Sequence, residues 1–146
     1  MDRYLVEVAA DSPWTRDGWL RTGDLGRFLP DGQLDVRGRR DHLIITGGEN
    51  VAPQEVEAWL EAMPGIRAAC VFSVPDDEWG ERVVAAIAAD VAELDLDALR
   101  ARMRAELAPH KRPKGLAVLD ALPLNRSGKL DRAAIRSRSL GLLRPI

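Results

Sequence analysis

The sequence is poor in the residues that most often carry chemistry. Its 146 residues include one cysteine, two histidines, one tyrosine and two phenylalanines. A single cysteine rules out an intrachain disulfide. Cys70 sits in the apolar run AACVFSV with no base visibly paired to it, which reads as a reduced core thiol suited to the cytosol. No Cys/His cluster built on His42 or His110 has ligand spacing, so a protein metal site is not expected. No apolar run approaches the ~20 residues needed to span a bilayer. The N-terminus MDRYLVEVAADS lacks the charged-then-apolar layout of a signal peptide. Past Trp79 there is no aromatic residue to stack a base, so a nucleic-acid partner is not expected either.

What is present is ordinary globular material, with 46% hydrophobic and 30% charged residues. A chain this long can bury a stable core as one domain, or as one small domain plus a piece of another. The net charge of −2 hides an asymmetry. Residues 1–99 carry 9 Lys/Arg against 20 Asp/Glu, whereas residues 100–146 carry 12 against 3. A basic half of this kind suits the phosphates of a nucleotide.

Turn signals organise the first 40 residues. The Asp-Gly turns of TRDGW and LPDGQ, each between apolar residues, predict short β-hairpins, with Arg27–Leu29 and Gln33–Val36 as the arms of the second. The charge run Arg39-Arg40-Asp41 then breaks the pattern and marks a linker or hinge. Leu43–Ile45 predicts a short strand ending at Gly47-Gly48. A helix follows, with Pro53 in its first turn and Val56, Trp59, Leu60 and Met63 on one face. Residues Ile66–Val74 and Arg82–Val91 read as two strands joined by the turn Pro75–Gly80. Asp95 caps a second helix whose face is Leu96, Leu99, Met103 and Leu107, closed by Pro109. Leu116–Leu119 is a final strand, and a last helix begins near Asp131. The order predicts an α+β fold, a small mixed or antiparallel sheet with helices packed on it, preceded by short hairpin strands.

Taken singly, the polar residues on the loops have bland readings. Gly128-Lys129 is not a phosphate loop, because Pro123 stands where the Walker pattern needs glycine. Gly47-Gly48 lacks the rest of a dinucleotide fingerprint and by itself only supplies positive φ. Asp24 is a turn former, Arg39 to Asp41 a solvated charge run, and Lys129 a surface lysine after a turn.

In combination they say more. GWLRTGDLG, GRRDHLIITGGENVAPQEVE, PDDEWGERVVAAI and PLNRSGKLDR resemble, in order and spacing over roughly residues 14–138, the C-terminal part of the adenylate-forming superfamily. That superfamily comprises acyl- and aryl-CoA synthetases, luciferases and the adenylation domains of peptide synthetases. The GGENV form is most similar to acyl- or aryl-CoA ligases, such as medium-chain or o-succinylbenzoate types.

The resemblance implies an acid–thiol ligase using ATP and CoA as substrates, with Mg2+ accompanying ATP rather than held by this chain. A carboxylic acid attacks the α-phosphorus of ATP to give acyl-AMP and pyrophosphate; after a domain swing, a thiol displaces AMP. It further implies nucleotide-binding roles for Asp24, Arg39 and Asn50. Asp41 would be the hinge, Gly47 and Gly48 would line the pantetheine path, and Lys129 would be the catalytic lysine. Residues 1–40 would be the end of a large N-terminal adenylating domain, 41–139 the mobile C-terminal domain and 140–146 a tail. Nothing in the sequence corresponds to the rest of that large domain, so the chain is expected to be inactive without it, in cis or in trans. Two alternatives stand beside this reading. One is an adenylating domain that loads the phosphopantetheine of a carrier protein; the other is a free-standing, non-catalytic module that binds nucleotide, CoA or a partner.

Overall fold

Two Asp-Gly turns shape the first part of the chain. The computed structural model describes residues 13–90 and 92–146, without the side chains of Arg37 and Asp41. At the first turn Trp14 and Leu20 form an antiparallel bridge. Thr15 N–H donates to the Trp19 carbonyl at 2.7 Å, and Trp19 N–H donates to Thr15 Oγ1 at 2.9 Å. The second turn joins β1 (Asp24–Phe28) to β2 (Leu34–Arg39), antiparallel with Phe28 opposite Leu34 and Asp24 opposite Arg39. Gly32 supplies the positive φ (83°) that its turn needs. Among the described residues no hydrophobic side chain before Ile44 is buried; Trp19 (75%) and Phe28 (78%) are largely exposed.

The chain forms two compact units, Met1–Asp41 and His42–Ile146. The second opens with a tight hairpin, β3 (Ile44–Thr46) and β4 (Glu49–Val51), which pairs Thr46 with Glu49 across Gly47-Gly48. Both glycines have positive φ, 55° and 82°, as a two-residue turn matched to strand twist requires. The strand β4 is not anticipated by the sequence reading, which runs from Gly48 straight to the helix. Helix α1 (Pro53–Glu61) places proline where a missing N–H costs nothing and Glu55 in the first turn. Val56, Leu60 and Met63 are buried along one stripe.

The central sheet has the order β5-β6-β7-β8. Strands β5 (Ile66–Asp76) and β6 (Gly80–Ala89) form an antiparallel hairpin. Its turn is shorter than expected, because Asp76 Oδ1 accepts from both Glu78 and Trp79 N–H at 3.1 Å. Helix α2 (Leu96–Glu106) then returns the chain to β7 (Gly115–Leu119), parallel to β6. Asp95 caps α2, accepting from Asp97 and Ala98 N–H at 3.0 and 2.9 Å. Leu96, expected on the core face, is 39% exposed at the first turn of α2, where it lines a surface cavity with Leu116 and Val118, and Leu99 and Met103 fill the core. Helix α3 (Arg132–Ser139) follows, capped by Asp131. Residues 140–146, expected as a tail, form a 3-10 turn and β8 (Arg144–Pro145), which pairs with β7.

Alternation along the strands sends side chains to both sides, and both sides are covered. Ala69, Val71, Val83, Ala85 and Ile87 pack with Ile44, Val51, α1 and α2. Cys70, Phe72, Val84 and Ala86 pack with Leu122, Leu130 and Ile135 of α3. Each fully buried large aliphatic such as Ile87, Leu60 or Ile135 contributes about 1.5–3 kcal/mol. The hairpin carrying Gly47-Gly48 therefore belongs to one face of the sheet, and the segment carrying Lys129 to the other.

Candidate functional site

In the first compact unit, register brings two of the expected nucleotide-binding residues together. Asp24 and Arg39 face each other at the open end of the β1–β2 hairpin, with Arg39 Nη1 3.6 Å from Asp24 Oδ1. Arg39 Nη1 also donates to the Thr22 carbonyl at 2.6 Å, and Asp24 N–H donates to Thr22 Oγ1. A β-carbon on Gly23 would lie 3.2 Å from Arg39 Nη2, so glycine there leaves room for the guanidinium. Both side chains stay close to half exposed. The pair presents a carboxylate with two acceptor oxygens beside a cation, which suits a vicinal diol or a phosphate oxygen. Asp41 falls at the last position of this unit, within a 3-10 turn.

In the second unit Gly47, Gly48 and Asn50 share the β3–β4 hairpin. The two glycines differ in what demands them. A β-carbon on Gly47 would lie 2.5 Å from Trp79 Cε3, so the indole rests directly on the bare backbone. Gly47 N–H donates to the Trp79 carbonyl at 2.9 Å. Gly48 faces open space and is required only by its φ. Glu81 fixes the hairpin from below: its Oε2 accepts from Ile45 N–H at 2.9 Å, and its Oε1 accepts from Ser73 Oγ at 2.7 Å. Asn50 is exposed opposite Ile45.

Beside this turn lies a groove of about 250 Å³ lined by Gly47, Trp79, Arg82, His110, Arg112 and Lys114, among others. Arg112 is held by the carbonyls of Leu107 and Arg104, both at 2.8 Å. Arg82 lies 3.6 Å from Asp76, and Lys114 has no ion-pair partner among the described residues. The groove thus brings the Trp79 indole together with three cationic side chains, and Glu49 lines it too. None of its basic residues is singled out in the sequence reading; the signal that could have found them is the run His110-Lys111-Arg112-Pro113-Lys114 inside the basic half.

Lys129 sits on a different hairpin. Leu124 and Leu130 form a bridge, and Asn125 N–H donates to the Lys129 carbonyl at 2.7 Å. Asn125 Oδ1 accepts from Ser127 N–H, Ser127 Oγ and Lys129 N–H at 3.0, 2.7 and 3.1 Å. One side chain therefore braces the whole turn, with Gly128 at φ 77° closing it. The Lys129 side chain projects from this braced turn exposed, with no bonded partner among the described residues.

Behind that hairpin is a partly buried ionic cluster. Arg132 Nη2 donates to Glu57 Oε2 at 2.8 Å, and Arg132 Nη1 donates to the Val71 carbonyl at 3.1 Å. Burial alone would lower the pKa of Arg132, but hydrogen bonding to Glu57 and its charge raise it above the usual value. Burial pushes the neighbouring Cys70 thiol up to about 11, with the Arg132 charge opposing. Cys70 is thus inert at neutral pH. Among the described residues no group of three or more His, Cys, Asp or Glu side chains could hold a metal ion. No helix among them is long and apolar enough to cross a membrane.

The fold and its loops define a small mixed α+β domain that presents a glycine turn and a lysine hairpin from opposite faces of one sheet. The chain belongs to the family described as the AMP-binding enzyme C-terminal domain, whose match covers residues 55–129. It is 42% identical over 139 residues to a feruloyl-CoA synthase of Amycolatopsis, covering 94% of this chain and 28% of that protein. It is 43% identical over 132 residues to the 2-succinylbenzoate–CoA ligase of Bacillus licheniformis, covering 90% of this chain and 27% of the ligase. The fold matches ATP-bound MatB from Rhodopseudomonas palustris with a TM-score of 0.78 and 35% identity, over 86% of this chain and 25% of that one. The chain thus spans little more than a quarter of the length of the curated relatives it matches.

Proposed function

We propose that this chain works as the mobile C-terminal portion of an AMP-forming acyl- or aryl-CoA synthetase and supplies one loop to each half-reaction. In the first, Lys129 reaches the α-phosphate of ATP and the attacking carboxylate, where its ammonium offsets the negative charge that gathers in the transition state. Asp24 accepts hydrogen bonds from the ribose hydroxyls, while Arg39 and Asn50 donate toward ribose or phosphate oxygens. In the second, the Gly47-Gly48 turn admits the thin pantetheine arm close to the backbone. The basic groove beside Trp79 then receives the phosphate-bearing end of CoA. That groove favours CoA over a carrier protein as the acyl acceptor, because a free nucleotide end needs both stacking surface and cations.

Two features support alternation between these states. The loops rise from opposite faces of the sheet, so turning the domain exchanges one for the other at a common centre. The division into compact units falls directly after Asp41, where a hinge would sit. Mg2+ enters this proposal only as the counter-ion of ATP, and a cytoplasmic location, where ATP and CoA are available, goes with it. The acid-binding pocket, and with it the choice of acid, belongs to the large adenylating domain that the proposal requires as partner.

The observation that carries the reading is Lys129, an exposed ammonium on a braced turn with no ion-pair partner among the described residues. Joined to such a large domain, Lys129→Ala should slow acid-dependent pyrophosphate exchange by about a hundred- to a thousand-fold. Thioester formation from supplied acyl-AMP should continue at close to the parent rate. Equal loss in both half-reactions would sink the assignment.

A further inference from the structure

Strand β5 is an edge of the central sheet: among the described residues its one strand neighbour is β6. Such an edge leaves backbone groups unpaired and open to other chains. Here three charged side chains cover it. Glu61 Oε1 accepts from Ala69 N–H at 3.0 Å, and Glu57 Oε1 accepts from Val71 N–H at 2.8 Å. Arg132 donates to the Val71 carbonyl and is joined to both Glu57 oxygens at 2.8 Å. Glu57 comes from α1 on one face of the sheet, whereas Arg132 opens α3 on the other. The pair therefore wraps around the edge at Val71 and ties the two faces together.

Position along the chain gives this clamp a second consequence. Arg132 follows Lys129 by three residues, through Asp131, whose N–H donates to the Pro123 carbonyl at 2.9 Å and whose carboxylate caps α3. Asn125, Asp131 and Arg132 thus tie the hairpin to itself, to Pro123 and to the sheet edge, while the Lys129 side chain stays exposed.

We propose that Arg132, anchored on Glu57, is a positioning residue for Lys129: the edge clamp holds the lysine hairpin at a set height on its face of the sheet. This rests on the catalytic reading of Lys129 given above. A bidentate guanidinium suits the role because it fixes orientation as well as distance, which an ammonium does not.

The test has two arms, chosen so that each part can fail separately. In the chain itself, Arg132→Gln should accelerate amide hydrogen exchange at Asn125 and Asp131 by roughly tenfold or more, while Ala85 and Ile87 in β6 keep their protection. Unchanged exchange at the hairpin overturns the proposal. Should Arg132→Gln unfold the domain, Arg132→Lys, which keeps the charge and loses the fork, must show the same selective loosening. Uniform loss of protection in that variant overturns it as well. Joined to a large adenylating domain, Arg132→Gln should slow pyrophosphate exchange by roughly ten- to a hundredfold through misplacement of the lysine. Thioester formation from acyl-AMP should be spared, a split that general destabilisation would not produce. If Lys129→Ala abolishes exchange and Arg132→Gln leaves it intact, the positioning role is wrong. If Lys129→Ala itself retains exchange, the catalytic reading of Lys129 fails instead, and the positioning role falls with it.

Discussion

The two hairpins that carry the proposed site residues are built on opposite plans. The glycine hairpin is rigid because other parts of the domain press on it: Trp79 lies on Gly47, and Glu81 takes the Ile45 N–H. Its strands bury Ile44 and Val51, but the Gly47-Gly48 turn has no side chains, which leaves bare backbone beside the groove. The lysine hairpin is rigid from within, through the three bonds accepted by Asn125 Oδ1. It holds out the exposed Lys129 ammonium. A passage for a thin substrate must lack side chains at its surface and so depends on outside support. A charge proposed to enter another site must be clear of its own domain, and here it rests on a turn braced from within by Asn125 and anchored behind by Arg132.

The largest expected effect separates the two plans by chemistry. Lys129→Ala, whose predicted slowing corresponds to an adenylation barrier raised by about 3–4 kcal/mol, should leave the melting temperature of the domain almost unchanged. Calorimetry on the variant checks the second half of that statement, and a clear loss of stability would mean that Lys129 packs rather than reacts.

Next comes the lysine face of the sheet at alkaline pH. The Cys70 thiol titrates at 9.0 when unperturbed and about 11 in the fold. A raised acid pKa contributes stability that is complete below the unfolded value and lost as pH rises through the folded one. Unfolding free energy should therefore fall by roughly 2–3 kcal/mol between pH 9 and 11. Denaturant titrations of the parent and of Cys70→Ala over that window check the point: the variant should show a flatter slope.

The glycine hairpin offers a finer contrast. Gly47→Ala should cost about 2 kcal/mol or more, since strain at positive φ adds to displacement of the Trp79 ring. Gly48→Ala meets no atom and should cost only about 1 kcal/mol of backbone strain. Trp79 fluorescence should shift in the first variant and stay unchanged in the second. Equal effects would show that the indole does not need the bare backbone.

Smallest is the surface charge of the groove. Lys114→Gln should weaken CoA in the thiol step by about 0.5–1 kcal/mol, a few-fold in KM, without touching pyrophosphate exchange. The effect should shrink as salt is raised, because the side chain is exposed.

Local signals were legible to different depths. The Asp-Gly turns, the caps Asp95 and Asp131, proline at the start of α1 and the core stripe of Val56, Leu60 and Met63 all act within a few residues. Their physics is written in adjacent letters. Strand β4 was not visible, because three residues, Glu49-Asn50-Val51, become a strand only by pairing back on Ile44–Thr46. For β8 the partner is more distant still: Arg144 and Pro145 carry no strand signal and are ordered by β7. The groove was missed because its Trp79 indole and the cations Arg112 and Lys114 come from separate segments, the β5–β6 turn and the stretch before β7.

By itself the sequence determined the family and the order of the larger elements, because turn chemistry, capping and apolar period are short-range and leave ordered motifs. Only the tertiary structure decided that the glycine turn and the lysine hairpin lie on opposite faces. It alone placed Trp79 against Gly47, and it alone closed the edge of β5 with Glu57 and Arg132. Those are contacts between residues distant in the chain, and packing against a sheet with two buried faces, not local preference, selects them.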